Sequence, residues 1–255
     1  MTNSTSDRDQ KRLGVATTLA EYIGLVNGLL NGDTSYLFRG HRDETWPLKP
    51  SIARHRWASD TIETDMLDEF KRRSIPYLES TYELKDADWL AIAQHHGMPT
   101  RLLDWSGSAL TALWFAVNQP AGDSEAGAVW LLSYSPKNLM SNEERDQPFK
   151  IDRTVLFRPR HVSRRIAAQD GWFTIHRSHQ KGARYISLDT NTEFEESLRF
   201  VIIPKDAFGR MRLQLMNAGV TSATLYPDLD GVARYVSRTT LYDDDELDAR
   251  VQSLL

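Results

Sequence analysis

The chain has 255 residues, 40% of them hydrophobic, which is enough for one domain with a substantial core. Its formal net charge of −4 gives no general reason to expect a surface that binds DNA or RNA. The sequence contains no cysteine, which rules out disulfides, thiolate metal sites and a cysteine nucleophile. No stretch approaches the ~20 apolar residues that span a bilayer, and the start lacks the apolar run of a signal peptide. We therefore expect a cytoplasmic protein with no membrane contact.

The first half of the chain is predicted to be mainly helical. Residues 1–14 are polar and are expected to form a flexible N-terminus. A capping-box spacing at Thr18 and Glu21 predicts the first helix, and residues 35–40 read as a short strand. Three further helices are predicted, from Asp60, over residues 88–96, and from Ser106 or Ser108.

The second half carries most of the predicted strands. They cover residues 128–134, 154–157, 172–176, 197–203 and 220–226. Helices are predicted over residues 206–218 and from Asp228, and residues 241–255 read as an acidic tail. The sequence thus predicts a single α+β domain. Its helices lie mainly in the N-terminal half and its mixed or antiparallel sheet mainly in the C-terminal half.

Residues 94–106 concentrate polar and aromatic side chains between two apolar helices. They include Gln94, His95, Arg101, Asp104 and Trp105. One interpretation is a structural corner in which Arg101 pairs with Asp104 and Gln94 caps backbone groups. The other is the wall of a pocket, with a cation for an anion, an imidazole for proton transfer and Trp105 for stacking.

Arg39 is the second candidate, because it lies within a short apolar strand and is followed by Gly40. A guanidinium in that position has to meet an anion, since a buried unpaired charge costs several kcal/mol. The sequence leaves two partners open, an internal acid such as Asp104 or a ligand phosphate. Gly40 itself indicates a turn or a close approach of another backbone.

Metal and nuclease chemistry have weaker support. His95 and His96 are adjacent on a predicted helix and point about 100° apart, so one pocket does not readily use both. His161, His176 and His179 follow no metal-ligand spacing, so no metal is expected. The pair Asp228 and Asp230 is best explained as an N-cap and a first-turn acid of a helix.

One local run of arginines stands out in a chain of negative net charge. It comprises Arg153, Arg158, Arg160, Arg164 and Arg165. Such a run is usually a solvated face, but it would also suit the phosphates of a dinucleotide or an RNA. Glycine-rich phosphate loops and the Gly-x-Ser-x-Gly elbow are absent from the sequence, which disfavours kinase, P-loop, Rossmann and α/β-hydrolase chemistry.

Several sequence blocks, in this order, resemble the FRG domain. They are Phe38-Arg39-Gly40, residues 46–51 (WPLKPS), residues 94–105 (QHHGMPTRLLDW), residues 109–116 (ALTALWFA), residues 165–174 (RIAAQDGWFT) and residues 225–233 (LYPDLDGVA). The resemblance implies an FRG domain over residues 15–240. The sequence departs from the family pattern at His41, where the family often has glutamine.

FRG domains in turn resemble the ADP-ribosyltransferase fold, which implies roles for particular residues. Arg39 would hold the phosphates or ribose of NAD, as the arginine or histidine on the first core strand does in that superfamily. The acid that polarises the nicotinamide ribose is not fixed by the resemblance. Gln169, Glu195 and Glu196 are candidates, and Asp104 is the next in line.

The leading hypothesis is a toxin- or defence-type enzyme that uses NAD as substrate, either transferring ADP-ribose to RNA, DNA or protein or hydrolysing NAD. The phosphates would bind Arg39, assisted by Arg101 and the arginine run that ends at Arg165. Gln94 and His95 would line the site, Trp105 or Trp172 would stack on a ring, and Gln169, Glu196 or Asp104 would act at the ribose. An antitoxin or another defence-system protein is a possible partner.

Two alternatives remain open at this level. One is a non-catalytic FRG module that binds a nucleotide or a partner protein, and the other is a metal-dependent nuclease using Asp104, Asp228 and a third acid that the sequence does not identify. A pocket rich in arginine and aromatic residues with one acid would favour the transferase, whereas a cluster of carboxylates would favour the nuclease.

Overall fold

The computed structural model describes residues 4–29, 34–77, 84–160, 164–179 and 184–252. Within these ranges the strands are β1 (Arg12–Val15), β2 (Ser35–His41), β3 (Leu102–Ser106), β4 (Ala126–Tyr134), β5 (Val155–Phe157), β6 (Gly171–Ile175) and β7 (Leu198–Pro204). The helices are α1 (Ser4–Lys11), α2 (Leu19–Asn27), α3 (Asp60–Ser74), α4 (Asp86–His95), α5 (Ala109–Val117), α6 (Asn142–Asp146), α7 (Arg164–Ala168), α8 (Phe208–Asn217), α9 (Ser222–Leu225), α10 (Leu229–Thr240) and α11 (Asp244–Gln252).

In this part of the chain the seven strands form one mixed sheet in the order β1-β7-β4-β2-β3-β6-β5. The β1–β7 pair is parallel, and every other neighbouring pair is antiparallel. Strand β2 pairs with β4 along seven positions, from Ser35 with Tyr134 to His41 with Ala128. Its register with β3 consists of a single pair, Phe38 with Ser106. The sheet is therefore continuous but only weakly joined between β2 and β3.

The hydrophobic core follows from the alternation of side chains along the strands. Phe38, Val129 and Val201 face one side and pack against α2, α5 and α8. Their neighbours Leu37, Trp130 and Phe200 face the other side and form a second cluster. A third cluster joins α3 and α4 to β3, β5 and β6. The sheet thus separates two apolar layers, which is the arrangement an α+β domain requires.

Gly40 is explained by the packing of α5 on β2. A Cβ atom at position 40 would lie 1.9 Å from the carbonyl oxygen of Ala112 and 2.6 Å from the backbone nitrogen of Ala116. Both are backbone atoms that cannot move aside independently, so only glycine fits here. Of the two possibilities drawn from the sequence, the close backbone approach is the right one.

The expected distribution of helices and strands along the chain is wrong. Strands β1–β4 all begin in the first half, and α8–α11 follow the last strand. Residues 220–226, predicted as a strand, instead contain α9, because Thr221 accepts a hydrogen bond from the backbone of Thr224 in a capping box. Asp228 caps α10 by accepting from the Gly231 backbone at 2.7 Å, as predicted.

The ends of the chain also differ from expectation. Residues 1–14 were expected to be flexible, but residues 4–14 belong to α1 and the edge strand β1. Lys11, the last residue of α1, donates to the backbone carbonyl of Asp189 at 2.8 Å. The acidic tail contains α11, which packs against α8. There the buried Arg212 pairs with Asp245 and Glu246. Acidic residues that resemble a solvated tail in the sequence are ordered here because they neutralise a buried guanidinium.

Candidate functional site

A cavity of about 530 Å³ lies where β2 and β3 separate. Consecutive residues of both strands line it, which is possible because the strands share only one register pair. Helices α4, α5 and α7, strand β6 and the loop after β2 supply the rest of the wall. The charged and polar lining comprises Arg39, His41, Arg42, Arg54, Gln94, His95, Asp104, Ser106, Asn118, Gln119, Arg165 and Gln169.

Arg39 is held at the wall of this cavity by two neighbours. Its Nε donates to Nε2 of His41 at 2.9 Å, and its Nη1 donates to the backbone carbonyl of Asp104 at 2.6 Å. The same Nη1 lies 3.6 Å from the Asp104 carboxylate, and the Arg39 side chain remains 22% exposed. The internal ion pair considered from the sequence is therefore present. The guanidinium still reaches solvent and can contact a ligand.

Asp104 is the one acidic side chain that lines the cavity in the part of the chain described here. Its side chain is 60% exposed although it belongs to a strand whose other residues are buried. The backbone carbonyl of Asp104 orients Arg39, while its carboxylate remains open to the cavity. A carboxylate in that position can stabilise positive charge that develops on a bound molecule.

Among the residues that the structure describes, four arginines contribute to the cavity, Arg39, Arg42, Arg54 and Arg165. Arg42 donates from Nη1 to the side-chain oxygen of Gln119. Arg165 lies over the ring of Tyr226, with its guanidinium carbon 4.1 Å from the ring centroid. Four guanidinium groups against one carboxylate make the cavity positive within a protein of negative net charge, so it favours anionic ligands.

Neutral polar groups complete the wall. Gln94 accepts from the Thr100 hydroxyl. Gln169 donates from its side-chain nitrogen to the Leu225 backbone carbonyl at 3.1 Å, while the backbone carbonyl of Gln169 accepts from the Ser106 hydroxyl at 2.6 Å. Burial, followed by the charges of Arg165 and His96, lowers the pKa of His95. A neutral His95 is therefore favoured at neutral pH, which allows it to accept a proton or a hydrogen bond.

The tryptophans differ in what they can offer a ligand. Trp105 is only 4% exposed, and its indole nitrogen donates to Thr174 at 3.2 Å, so it forms part of the core beneath the cavity. Trp172 is partly exposed and has the Arg158 guanidinium over its ring. Trp46 is 44% exposed at the cavity wall, near His41 and Arg42. Trp46 is thus the lining tryptophan with the most accessible surface for stacking.

Arg101 does not contribute to the cavity, contrary to expectation. Its side chain is fully buried and pairs with Glu63 at 2.7 Å and with Asp60, while its guanidinium lies over Phe149. Arg101 directly precedes β3, and side chains an odd number of residues apart in an extended chain point to opposite sides. The side chains of Arg101 and Asp104 therefore point in different directions. Arg101, which the sequence analysis assigned to ligand binding, pairs with two acids of α3 instead.

Glu195 and Glu196 also lie outside the cavity lining. Both are exposed, and the Glu196 side chain is 96% accessible, with Arg199 at 4.0 Å as its nearest cation. Within the arginine run only Arg165 lines the cavity. Arg153 pairs with Glu144 and Arg158 with Asp170, while His161 falls outside the described residues. The remaining members of the run do not contribute to the cavity.

The described residues contain no group of three or more His, Asp or Glu side chains that could hold a metal ion. Asp228, one of the two acids considered for a nuclease, caps α10. His176 directly follows β6 and is buried, with its Nε2 in a hydrogen bond of 3.2 Å to the Thr174 hydroxyl, and it does not line the cavity. Across the same residues, no helix combines the length and apolarity needed to cross a membrane.

The family comparison matches the part of the chain that builds most of this cavity. The model of the FRG domain matches residues 34–125, from the residue before β2 to the residue before β4. The chain contains an FRG domain. The matched range of this domain holds Arg39, Trp46, Gln94, His95 and Asp104, whereas Arg165 and Gln169 lie beyond it. The wider extent of the FRG domain, over residues 15–240, stays a prediction. Neither a curated protein nor a solved structure matches the chain.

Sequence reasoning did not identify several lining residues. They are Arg42, Arg54, Asn118 and Gln119. Arg42 directly follows the Phe38-Arg39-Gly40-His41 strand, so its position after a candidate site was the one available signal. Asn118 and Gln119 follow the last turn of α5 and reach the cavity only because α5 packs closely on β2 at Gly40.

Proposed function

We propose that this cavity binds NAD and that the protein is a toxin- or defence-type enzyme using NAD as substrate. It would transfer ADP-ribose to a nucleic acid or protein, or hydrolyse NAD. The observation that carries the proposal is the composition of the cavity, which combines four arginines, several aromatic residues and one carboxylate. Its volume of about 530 Å³ lies within the range of roughly 300–1,000 Å³ that is usual for small-molecule sites.

The arginines supply the phosphate site. The pyrophosphate of NAD carries two negative charges, and guanidinium groups bind phosphate oxygens in bidentate pairs. Arg39 is the central anchor, and Arg42, Arg54 and Arg165 surround it. Trp46 offers an exposed ring face on which a base can stack, a contact worth about 1–3 kcal/mol per base.

Asp104 is the residue proposed to act on the reaction itself. Cleavage breaks the bond between the ribose C1′ and the nicotinamide nitrogen, and the electron pair leaves with nicotinamide. Positive charge builds on the ribose, where the Asp104 carboxylate stabilises it and Gln169 can hydrogen-bond a ribose hydroxyl. Water or a nucleophile of a macromolecule then forms the new bond to C1′ and loses a proton to solvent or to a neutral His95.

This assignment replaces Glu196 by Asp104. The reason is positional, because Asp104 lines the cavity beside Arg39, whereas the Glu196 carboxylate is almost fully exposed outside it. The nuclease hypothesis finds no support, since the lining described here contains one acid rather than a carboxylate cluster. A non-catalytic nucleotide-binding module shares the same arginines and is separated from the enzyme by experiment.

The test uses NAD labelled separately in the nicotinamide and the adenine. Purified protein is incubated with each form, with and without cell lysate, and free nicotinamide and labelled RNA, DNA and protein are measured. Hydrolysis releases nicotinamide without lysate, and transfer adds adenine label to a macromolecule. Arg39→Ala serves as the matched control. Saturable NAD binding with no nicotinamide release in either condition would identify the non-catalytic module instead.

A further inference from the structure

His41 is the last residue of β2 and is 4% exposed. Because it lies two residues after Arg39 on the same strand, both side chains project from the same face. Its Nε2 accepts the hydrogen bond from Arg39 Nε at 2.9 Å. The backbone of His41 is also held in place, because it pairs in register with Ala128 of the neighbouring strand β4.

The accepting nitrogen fixes the protonation state of His41. An Nε2 that accepts from a guanidinium carries no proton, so the imidazole is neutral and its proton is on Nδ1. Burial and the neighbouring positive charge of Arg39 lower the pKa of His41 to about 3. Within the described residues, Nδ1 of His41 has no hydrogen-bond partner of normal geometry. The backbone of Trp46 lies near the ring and partly opposes this lowering of the His41 pKa. The imidazole thus offers Arg39 an acceptor throughout the physiological pH range.

The two bonds to Arg39 leave one part of its guanidinium for a ligand. Nε is directed to His41 and Nη1 to the Asp104 carbonyl, and in the part of the chain described here no hydrogen bond involves Nη2. A long side chain with this many rotatable bonds would otherwise lose entropy when it binds. Holding Nε and Nη1 therefore orients the remaining N–H groups before the ligand arrives.

We propose that His41 is a positioning residue that orients Arg39 for recognition of a pyrophosphate ligand through the acceptor it presents to Arg39 Nε. This proposal rests on the function proposed for the cavity. It requires an acceptor at position 41 and does not require an imidazole. Glutamine can present its side-chain oxygen to the same N–H, whereas phenylalanine fills similar space without an acceptor.

The first test measures NAD and ADP-ribose affinity by calorimetry for wild type, His41→Gln and His41→Phe. Loss of a hydrogen bond to a charged group weakens binding about 10- to 100-fold, which is the effect expected for His41→Phe. His41→Gln should stay within about threefold of wild type. If His41→Phe does not fold, as judged by circular dichroism, His41→Met takes its place with the same expectation. Equal losses in the glutamine and apolar variants would overturn the proposal.

A double-mutant cycle shows whether His41 acts through Arg39. In an Arg39→Ala background, with affinity measured at raised ligand concentration, His41→Phe should change binding by less than about twofold. The same loss in both backgrounds would mean that His41 contributes independently of Arg39, which contradicts a positioning role. A coupling close to the full effect of the single variant supports it.

A measurement without ligand separates this proposal from the proposed function. The Nε–H resonance of Arg39, assigned by comparison with Arg39→Lys, should exchange slowly with solvent in wild type and His41→Gln. It should exchange fast in His41→Phe. Slow exchange together with no NAD binding would refute the proposed function but keep the orientation of Arg39 by His41. Fast exchange in wild type would refute that orientation itself.

Discussion

Asp104→Asn tests the step that distinguishes an enzyme from a nucleotide-binding module. The substitution keeps the shape of the side chain and the backbone carbonyl that accepts from Arg39 at 2.6 Å, but it removes the negative charge. Two unit charges about 4 Å apart interact by roughly 4 kcal/mol at an effective dielectric constant near 20, and by about 1 kcal/mol in bulk water. The Asp104 side chain is 60% exposed, so its environment lies between these limits.

The expected loss of transition-state stabilisation is about 2–3 kcal/mol, which equals roughly 30- to 150-fold in kcat. KM for NAD should change little, because positive charge moves from the nicotinamide ring onto the ribose only in the transition state. Stability should fall by less than about 1 kcal/mol, since the ion pair with Arg39 is partly exposed and has a charge separation of 3.6 Å.

The assay is nicotinamide release at saturating and subsaturating NAD, with the melting temperature as a check on folding. Glu196→Gln is the matched control, because it removes the same kind of charge from a side chain that is 96% exposed and lies outside the cavity. An inactive Glu196→Gln beside a fully active Asp104→Asn would refute the reasoning. Equal losses of kcat and affinity in Asp104→Asn would assign the carboxylate to ground-state binding.

Three further outcomes follow from the cavity and its surroundings. Arg39→Ala should weaken NAD binding by at least about 100-fold with the fold intact. Arg39→Lys should bind only slightly better, because lysine lacks the planar fork of a bidentate phosphate contact; wild-type affinity of the lysine variant would show that a point charge suffices. Trp46→Ala should weaken NAD binding about 5- to 100-fold, because a stacking contact is lost. Trp57→Ala is the control and should leave binding unchanged, since Trp57 is 81% exposed and lies outside the cavity lining. Equal effects of the two substitutions would exclude stacking on Trp46. Burial lowers the pKa of both His41 and His176 to about 3, below the value of about 6.5 in the unfolded chain. Between these two pH values the unfolded state binds more protons than the folded state, so the free energy of unfolding decreases as pH falls. Urea unfolding should therefore show His41→Gln losing roughly 2 kcal/mol less than wild type between pH 7 and pH 5, and identical losses would mean that His41 is charged in the folded protein.

The sequence predicted the elements with strong local signals. Thr18 caps α2 by accepting from the Glu21 backbone, and Asp228 caps α10, both as the spacing indicated. Helical and alternating patterns also placed α3, α5, β2, β4 and β7 within a few residues. These features depend on residues close in sequence, so local rules are sufficient to predict them.

Strand β3 was not predicted, because it lies inside a polar segment and has no run of β-branched residues. Only its pairing with β6, from Leu102 with Ile175 to Ser106 with Gly171, makes it a strand. In the extended chain that this pairing creates, the side chains of Arg101 and Asp104 point in different directions. As a result Asp104 lines the cavity and Arg101 does not. The long-range contact of Arg101 with Glu63 could not be deduced from sequence spacing.

Only some of the residues that line the cavity were predicted, because long-range contacts decide which side chains reach it. Arg39, Gln94, His95 and Gln169 belong to recognisable blocks and do meet, together with Asp104, although their positions span most of the chain. Arg42 directly follows β2 and Arg54 ends a short 3-10 helix (Ser51–Arg54), and only the fold brings both side chains to the cavity. Sequence position could not separate the candidates for the acid at the ribose. Glu196 precedes a late strand but is exposed outside the cavity, whereas Asp104 lines it.

The central claim is that this cavity is an NAD site centred on Arg39, and equilibrium binding tests it most directly. Calorimetric titration of NAD into wild type and Arg39→Ala, at low and at moderate salt, requires neither turnover nor an acceptor. We predict saturable binding by wild type that weakens with salt, because salt screens the attraction between the guanidinium groups and the phosphates. The folded Arg39→Ala variant should bind at least about 100-fold more weakly. Absence of binding by wild type, or equal binding by both proteins, would contradict the account.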